Sequence, residues 1–193
     1  MTSGDTTWFG LDDPRRVLEV FRSHLGTWAN ASELQLDRLQ GAARARNSVN
    51  EGEVVDEWEW ARTWTETALL MYAIANTLRF ARAIGQSTAL GDQDRADVTR
   101  LVDNCYRTSP GVRGARDWIE HMDDQLRGGG RPSSPIPTDL GEFVSRRETG
   151  EIVGFRIGGI MVEPEGCVAS VRDLARDVLR IVDRSGAISS PLP

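Results

Sequence analysis

The sequence predicts a mainly α fold, a four- to five-helix bundle with a small antiparallel β-hairpin inserted before the C-terminal helix. Three observations lead there. Apolar residues recur at helical spacing through residues 13–127. A stretch of glycine, proline and serine (Gly128-Gly-Gly-Arg-Pro-Ser-Ser-Pro-Ile-Pro-Thr138) then breaks the period. After it, short β-branched runs flank the turn formers Glu148-Thr-Gly150 before the helical period returns. The expected organisation is a loose tail over 1–12, a helical bundle over 13–127 and a flexible linker over 128–141. A hairpin plus last helix packed on the bundle follows over 142–184, and a tail over 185–193.

Each element has its own signal. Asp13 before Pro14 announces the first helix, with Val17, Leu18, Phe21, Leu25 and Trp28 on one face and the period resuming at Leu34, Leu36 and Leu39. Gly26 leaves open one long helix or two consecutive ones. Ser48-Val-Asn-Glu51 has capping-box form and opens a second helix to about Ile84. The acidic first turns of that helix suit the positive end of its dipole. Ala68–Ala75 is apolar nearly all round, so this should be the central helix. Gly85–Gly91 is a turn, and a shorter third helix spans about Asp92–Arg107. Ser109 and Pro110 then start a fourth, to about Arg127. Phe143–Arg146, Ile152–Ile157 and Ile160–Val162 read as strands, with Gly158-Gly159 allowing a turn or bulge between the last two. The last helix, about Cys167–Arg184, repeats Val168, Val171, Ala175, Val178 and Val182.

Composition removes several chemistries. The chain has 193 residues, 39% of them apolar and 27% charged, enough to bury a core without disulfides. All 23 basic residues are arginine. A phosphate-loop lysine, a Schiff-base lysine and a Ser-Lys dyad are therefore excluded. The net charge of -6 argues against indiscriminate coating of nucleic acid, but leaves room for a local basic groove. No secretory leader is expected, and Ala68–Ala75 is too short to span a bilayer, so a cytoplasmic chain without membrane contact is expected. Cys105 and Cys167 are isolated and read as reduced thiols. No cofactor and no metal are expected. Neither His24 nor His121 has a Glu three residues before it, as a di-metal carboxylate bundle would require. His24, beside Leu25, reads as a packed or surface residue.

One stretch carries candidate chemistry: Arg116-Asp-Trp-Ile-Glu-His121, near the start of the fourth helix. Histidine is a proton carrier near neutral pH, and arginine a phosphate ligand. At 100° per residue the two lie roughly 140° apart around the helix, so they converge on one phosphate only if two copies pair across a twofold axis. Asp117 shares the face of His121 one turn earlier, where it could hold the imidazole's tautomer. Arg113 precedes them. On the last helix Arg172, Arg176 and Arg180 form an i, i+4 ladder, with Arg184 a turn further on. The ladder reads either as phosphate contacts or as ion pairing with Asp173 and Asp177. Pairing of Arg116 with Glu120 and Arg113 with Asp117 is likewise the alternative for the fourth helix.

The stretch resembles the HEPN superfamily (higher eukaryotes and prokaryotes nucleotide-binding domains), all-helical bundles marked by Arg, four to six residues, then His. Arg116, Asp117 and His121 match the marked positions, and 112–124 looks like a bacterial subgroup in which a β-hairpin follows. The resemblance implies metal-independent RNA cleavage at a homodimer interface. His121 would act as general acid or base, Arg116 would hold the phosphate and Asp117 would orient the site. Arg113, Arg172, Arg176 and Arg180 would then bind RNA phosphates. A toxin or defence role, with an antitoxin or other partner protein, belongs to the same expectation. Many HEPN-like bundles are inactive scaffolds or nucleotide-binding modules, so a non-catalytic interaction protein stays open beside it.

Overall fold

Asp13 starts the first helix, α1 (Pro14–Asn47), its carboxylate accepting the Arg15 N–H at 2.9 Å. The computed structural model describes residues 13–47, 57–113, 143–146, 148–157 and 160–188. Helix α1 is unbroken through Gly26. Its buried face is set by residues seven apart, Leu18, Leu25, Ser32 and Leu39, all fully buried. Leu34, expected on that face, is exposed, because it lies two positions past Ser32 and so roughly 200° around the helix.

Helix α2 (Glu57–Gly85) is the central element, with Leu70, Met71 and Ala73 through Leu78 all buried. Ring pairs order it against α1. His24 and Phe21 meet Phe80, while Trp28 meets Tyr72, so the two helices run antiparallel. Three polar side chains buried along α2 are satisfied within the helix. Thr67 donates to the Thr63 carbonyl at 2.8 Å, Thr77 to Ala73 at 2.9 Å and Asn76 to Tyr72 at 2.9 Å. The capping box read at Ser48–Glu51 lies outside the described residues.

Helix α3 (Asp92–Thr108) buries Val98, Val102 and Cys105. A single residue, Ser109, separates it from the next helical turn at 110–113. Ser109 closes α3 by donating its N–H to the Cys105 carbonyl at 3.0 Å and opens that turn by accepting the Val112 N–H at 2.9 Å.

A three-stranded antiparallel sheet precedes the last helix: β1 (Phe143–Ser145), β2 (Ile152–Ile157) and β3 (Ile160–Val162), in the order β1-β2-β3. The hairpin is thus extended by one strand. Gly150, at φ 71°, makes the first turn, a conformation costly for residues with a side chain. Phe143, Phe155 and Val162 stand in register across the sheet, and Phe143 packs on Trp64 of α2. The last helix, α4 (Pro164–Arg184), begins three residues before the apolar period does. Pro164 supplies its first position, and the missing N–H costs nothing there. One face of α4 is buried from Pro164 through Val182, including Val168, Val171, Ala175, Val178 and Val182 as the spacing requires. Beyond it Ala187 is also buried. No helix among the described residues is long and apolar enough to cross a membrane.

Two polar contacts fasten the sheet to α1. The Gln40 amide donates to the Ile152 carbonyl at 2.9 Å and accepts the Ile152 N–H at 2.8 Å, so it acts as a strand's backbone would. Arg44 reaches Glu151 at 3.2 Å beside it.

Candidate functional site

The helical turn at 110–113, just before the Arg–His motif in sequence, is rooted in the core. Val112, within it, is fully buried. Gly111 lies so close to α4 and β3 that a Cβ there would stand 2.8 Å from Cys167 Sγ and 3.2 Å from Val162 Cα. Ser170 donates its hydroxyl to the Gly166 carbonyl at 2.8 Å. Ser109 therefore supplies the proton of the 2.5 Å contact between the Ser109 and Ser170 hydroxyls. A cleft of about 420 Å³ opens beside this junction, lined by Ser109, Gly111, Met161, Glu163, Cys167 and Ser170 among others.

Arg116, Asp117 and His121 themselves lie outside the described residues. Arg113, the last described residue of that turn, is exposed. The three arginines expected on the last helix are on the solvent side of α4, and each meets carboxylates. Arg172 approaches Glu33 at 3.6 Å and Asp173 at 3.8 Å. Arg176 pairs with Asp173 at 3.0 Å and Asp177 at 3.4 Å, and Arg180 with Asp177 at 3.3 Å. These pairs are solvated, so each contributes at most about 1 kcal/mol. At its C-terminal end α4 is tied to two neighbours, by Arg22–Asp183 to α1 and by Arg184 to Asp94 and Asp97 of α3.

Those last contacts show what the spacing could not. Arg100 and Arg184 join Arg180, Asp97 and Asp177 around a groove of about 350 Å³ between α3 and α4, floored by Leu101 and Ile181. Arg184 was legible as the ladder's next turn. Arg100 was not, because only packing brings α3 beside α4.

No carboxylate, histidine or arginine is among the buried residues of the core as described. The buried polar residues there are Ser32, Gln40, Thr63, Thr67, Asn76, Thr77 and Ser87. His24 is exposed and stacks on Phe80 at 4.9 Å. Among the described residues no group of three or more His, Cys, Asp or Glu is arranged to hold a metal ion. The two thiols are perturbed against reactivity. Burial pushes Cys105 up to about 11. Burial, then the negative charge that Cys105 and Glu163 would carry, pushes Cys167 up to about 12. Both stay protonated at neutral pH and are poor nucleophiles.

A pH dependence follows. An unfolded thiol ionises near pH 9.0 while the folded ones keep their protons, so the unfolded state binds fewer protons above that pH. The thiols' contribution to stability is full below about pH 9 and is lost as pH rises toward 11 to 12. The urea midpoint of the wild type should fall more between about pH 8 and pH 10.5 than that of a Cys105→Ala/Cys167→Ala variant. Parallel slopes would contradict this assignment.

Comparison of the chain with protein-family models, with curated proteins and with solved structures finds no match.

Proposed function

We propose that this chain is a HEPN-like protein that cleaves RNA without a metal ion, as a homodimer whose two motif helices face each other. The observation that carries the reading is the Arg116–His121 spacing in the sequence, together with the seating of the helical turn that precedes it, 110–113, on Val162 and Cys167. In this proposal the helix continues through His121, so that its rooted first turn would hold the motif in the fixed place that transition-state stabilisation requires. In the proposed reaction the ribose 2′-oxygen attacks the adjacent phosphorus and the 5′-oxygen leaves. His121 takes the first proton or supplies the second, Arg116 neutralises the phosphoryl oxygens, and Asp117 holds the imidazole. The products are a 2′,3′-cyclic phosphate and a 5′-hydroxyl.

The test is cleavage of a mixed RNA pool in chelator, wild type beside His121→Ala, with the mass of each species in solution measured on the same samples. The wild type should be dimeric and active, and the variant should be folded, dimeric and slower by about 10² to 10⁴. Equal cleavage by the two proteins would discard the reading.

A second reading, a non-catalytic interaction module, is favoured by one specific feature. Leu69 and Tyr72 are exposed one turn apart on α2, with Trp28 set edge-on against Tyr72 at 5.5 Å. An inactive wild type whose dimer is dissolved by Leu69→Glu/Tyr72→Glu would favour that module over the nuclease.

A further inference from the structure

We propose that the groove between α3 and α4, rimmed by Arg100, Arg180 and Arg184, binds the phosphate of a nucleotide, either free or within single-stranded RNA. The inference stands on the geometry of the groove and does not depend on His121. Charge is layered around the groove. Arg100 is 72% exposed while its partner Asp97 is 21% exposed. Arg180 is 71% exposed and Asp177 39%. Arg184 is 59% exposed, against 23% for Asp94 and 21% for Asp97. Around this groove the carboxylates lie beneath and the guanidinium groups lie outermost.

The layering is weaker along the rest of the ladder. Arg172 and Arg176 are 56% and 51% exposed, level with Glu33 at 46% and Asp173 at 49%, and Arg176 stands only a little above Asp177 at 39%. On the α1 side the order is reversed, with Asp183 more exposed than Arg22. The ladder as a whole is therefore not a uniform basic stripe, and only its C-terminal end presents positive charge to an approaching ligand.

The submerged acids have a consequence for binding. The acids meet a single terminal nitrogen of each guanidinium, Nη1 of Arg100 and Arg180 and Nη2 of Arg184, and so restrict its position while leaving the other N–H groups for a phosphate oxygen. Pre-positioning of this kind lowers the entropy lost when a ligand docks. Between the arginines, Leu101 and Ile181 give an apolar floor on which a base can lie. A volume of about 350 Å³ falls at the small end of ligand pockets, the size of a single nucleotide.

The experiment measures binding of ATP, inorganic phosphate and a short labelled single-stranded RNA to the full chain at low and raised salt. Wild type is compared with Arg100→Gln/Arg180→Gln and, as control, Arg172→Gln/Arg176→Gln. Saturable, salt-sensitive binding of ATP or of the RNA is expected. It should weaken by about tenfold or more in the groove variant and stay within about twofold in the control. ATP binding marks a free nucleotide as the ligand, and binding of RNA alone marks the polymer. Absence of saturable binding to wild type, or equal losses in the two variants, would overturn the proposal. Phosphate binding as tightly as ATP would overturn the role of the floor. Retained binding in His121→Ala separates this site from the cleavage reading, whichever way the cleavage assay falls.

Discussion

Replacing Gln40 with glutamate is expected to lower the melting temperature by about 10 °C at neutral pH and by much less near pH 5. The reason is the pair of bonds that Gln40 makes to one residue. Its amide nitrogen donates to the Ile152 carbonyl and its oxygen accepts the Ile152 N–H, both in a buried setting. A carboxylate keeps the acceptor and turns the donor into a second acceptor facing a carbonyl oxygen. Desolvation of the charge and this repulsion together cost about 3 to 4 kcal/mol. For a chain of this length each kcal/mol moves the midpoint by roughly 2 to 4 °C. Burial raises a glutamate's pKa, and the neutral acid can again donate to Ile152, so acidification should recover much of the loss. Gln40→Leu, which leaves both backbone groups of Ile152 unmet, should be destabilised at either pH. Melting curves of the two variants at both pH values check this; a glutamate variant that loses as much at pH 5 as at pH 7 would be incompatible with the two-bond account.

Gln40 also marks what the sequence could and could not disclose. Start signals were legible wherever chemistry is local. Asp13-Pro14 opens α1, Ser109-Pro110 opens the next helical turn, and Gly150 turns β1 into β2, all by properties of the residues themselves. The heptad of valines on α4 likewise followed from period alone. Gln40 looked like any polar helix residue, because its partner is more than a hundred positions away. The same holds for Arg100, whose role beside Arg180 and Arg184 exists only once α3 packs on α4. The start of α4 was read late for a different reason. Apolar period shows where a helix is buried, whereas Pro164 begins it through its fixed backbone angle at the first position and Glu165 through its charge at the positive end of the dipole. For the Arg116–His121 motif the spacing is a sequence fact, and its surroundings lie outside the described residues.

Gly111→Ala is the variant that should connect packing to activity. The added methyl would stand 2.8 Å from Cys167 Sγ, 3.2 Å from Val162 Cα and 3.3 Å from Val162 Cγ1. Sulfur on a buried helix and backbone on a paired strand cannot both retreat, so a loss of about 2 to 3 kcal/mol is expected. Cys167→Ala alone leaves a small cavity and should cost about 1 to 2 kcal/mol. Combined, the two changes should cost less than their sum by about 1 kcal/mol or more, because removing the sulfur makes room for the methyl. The rescue should be partial, since Val162 stays in place. Denaturant titration of all four proteins gives the coupling directly, and strict additivity would mean that the helix root shifts as a whole without meeting Cys167. The same four proteins separate stability from function. If the root of this helix sets the position of His121 and Arg116, Gly111→Ala should cleave RNA more slowly than its folded fraction explains. Cys167→Ala in that background should then recover rate in proportion to the recovered coupling.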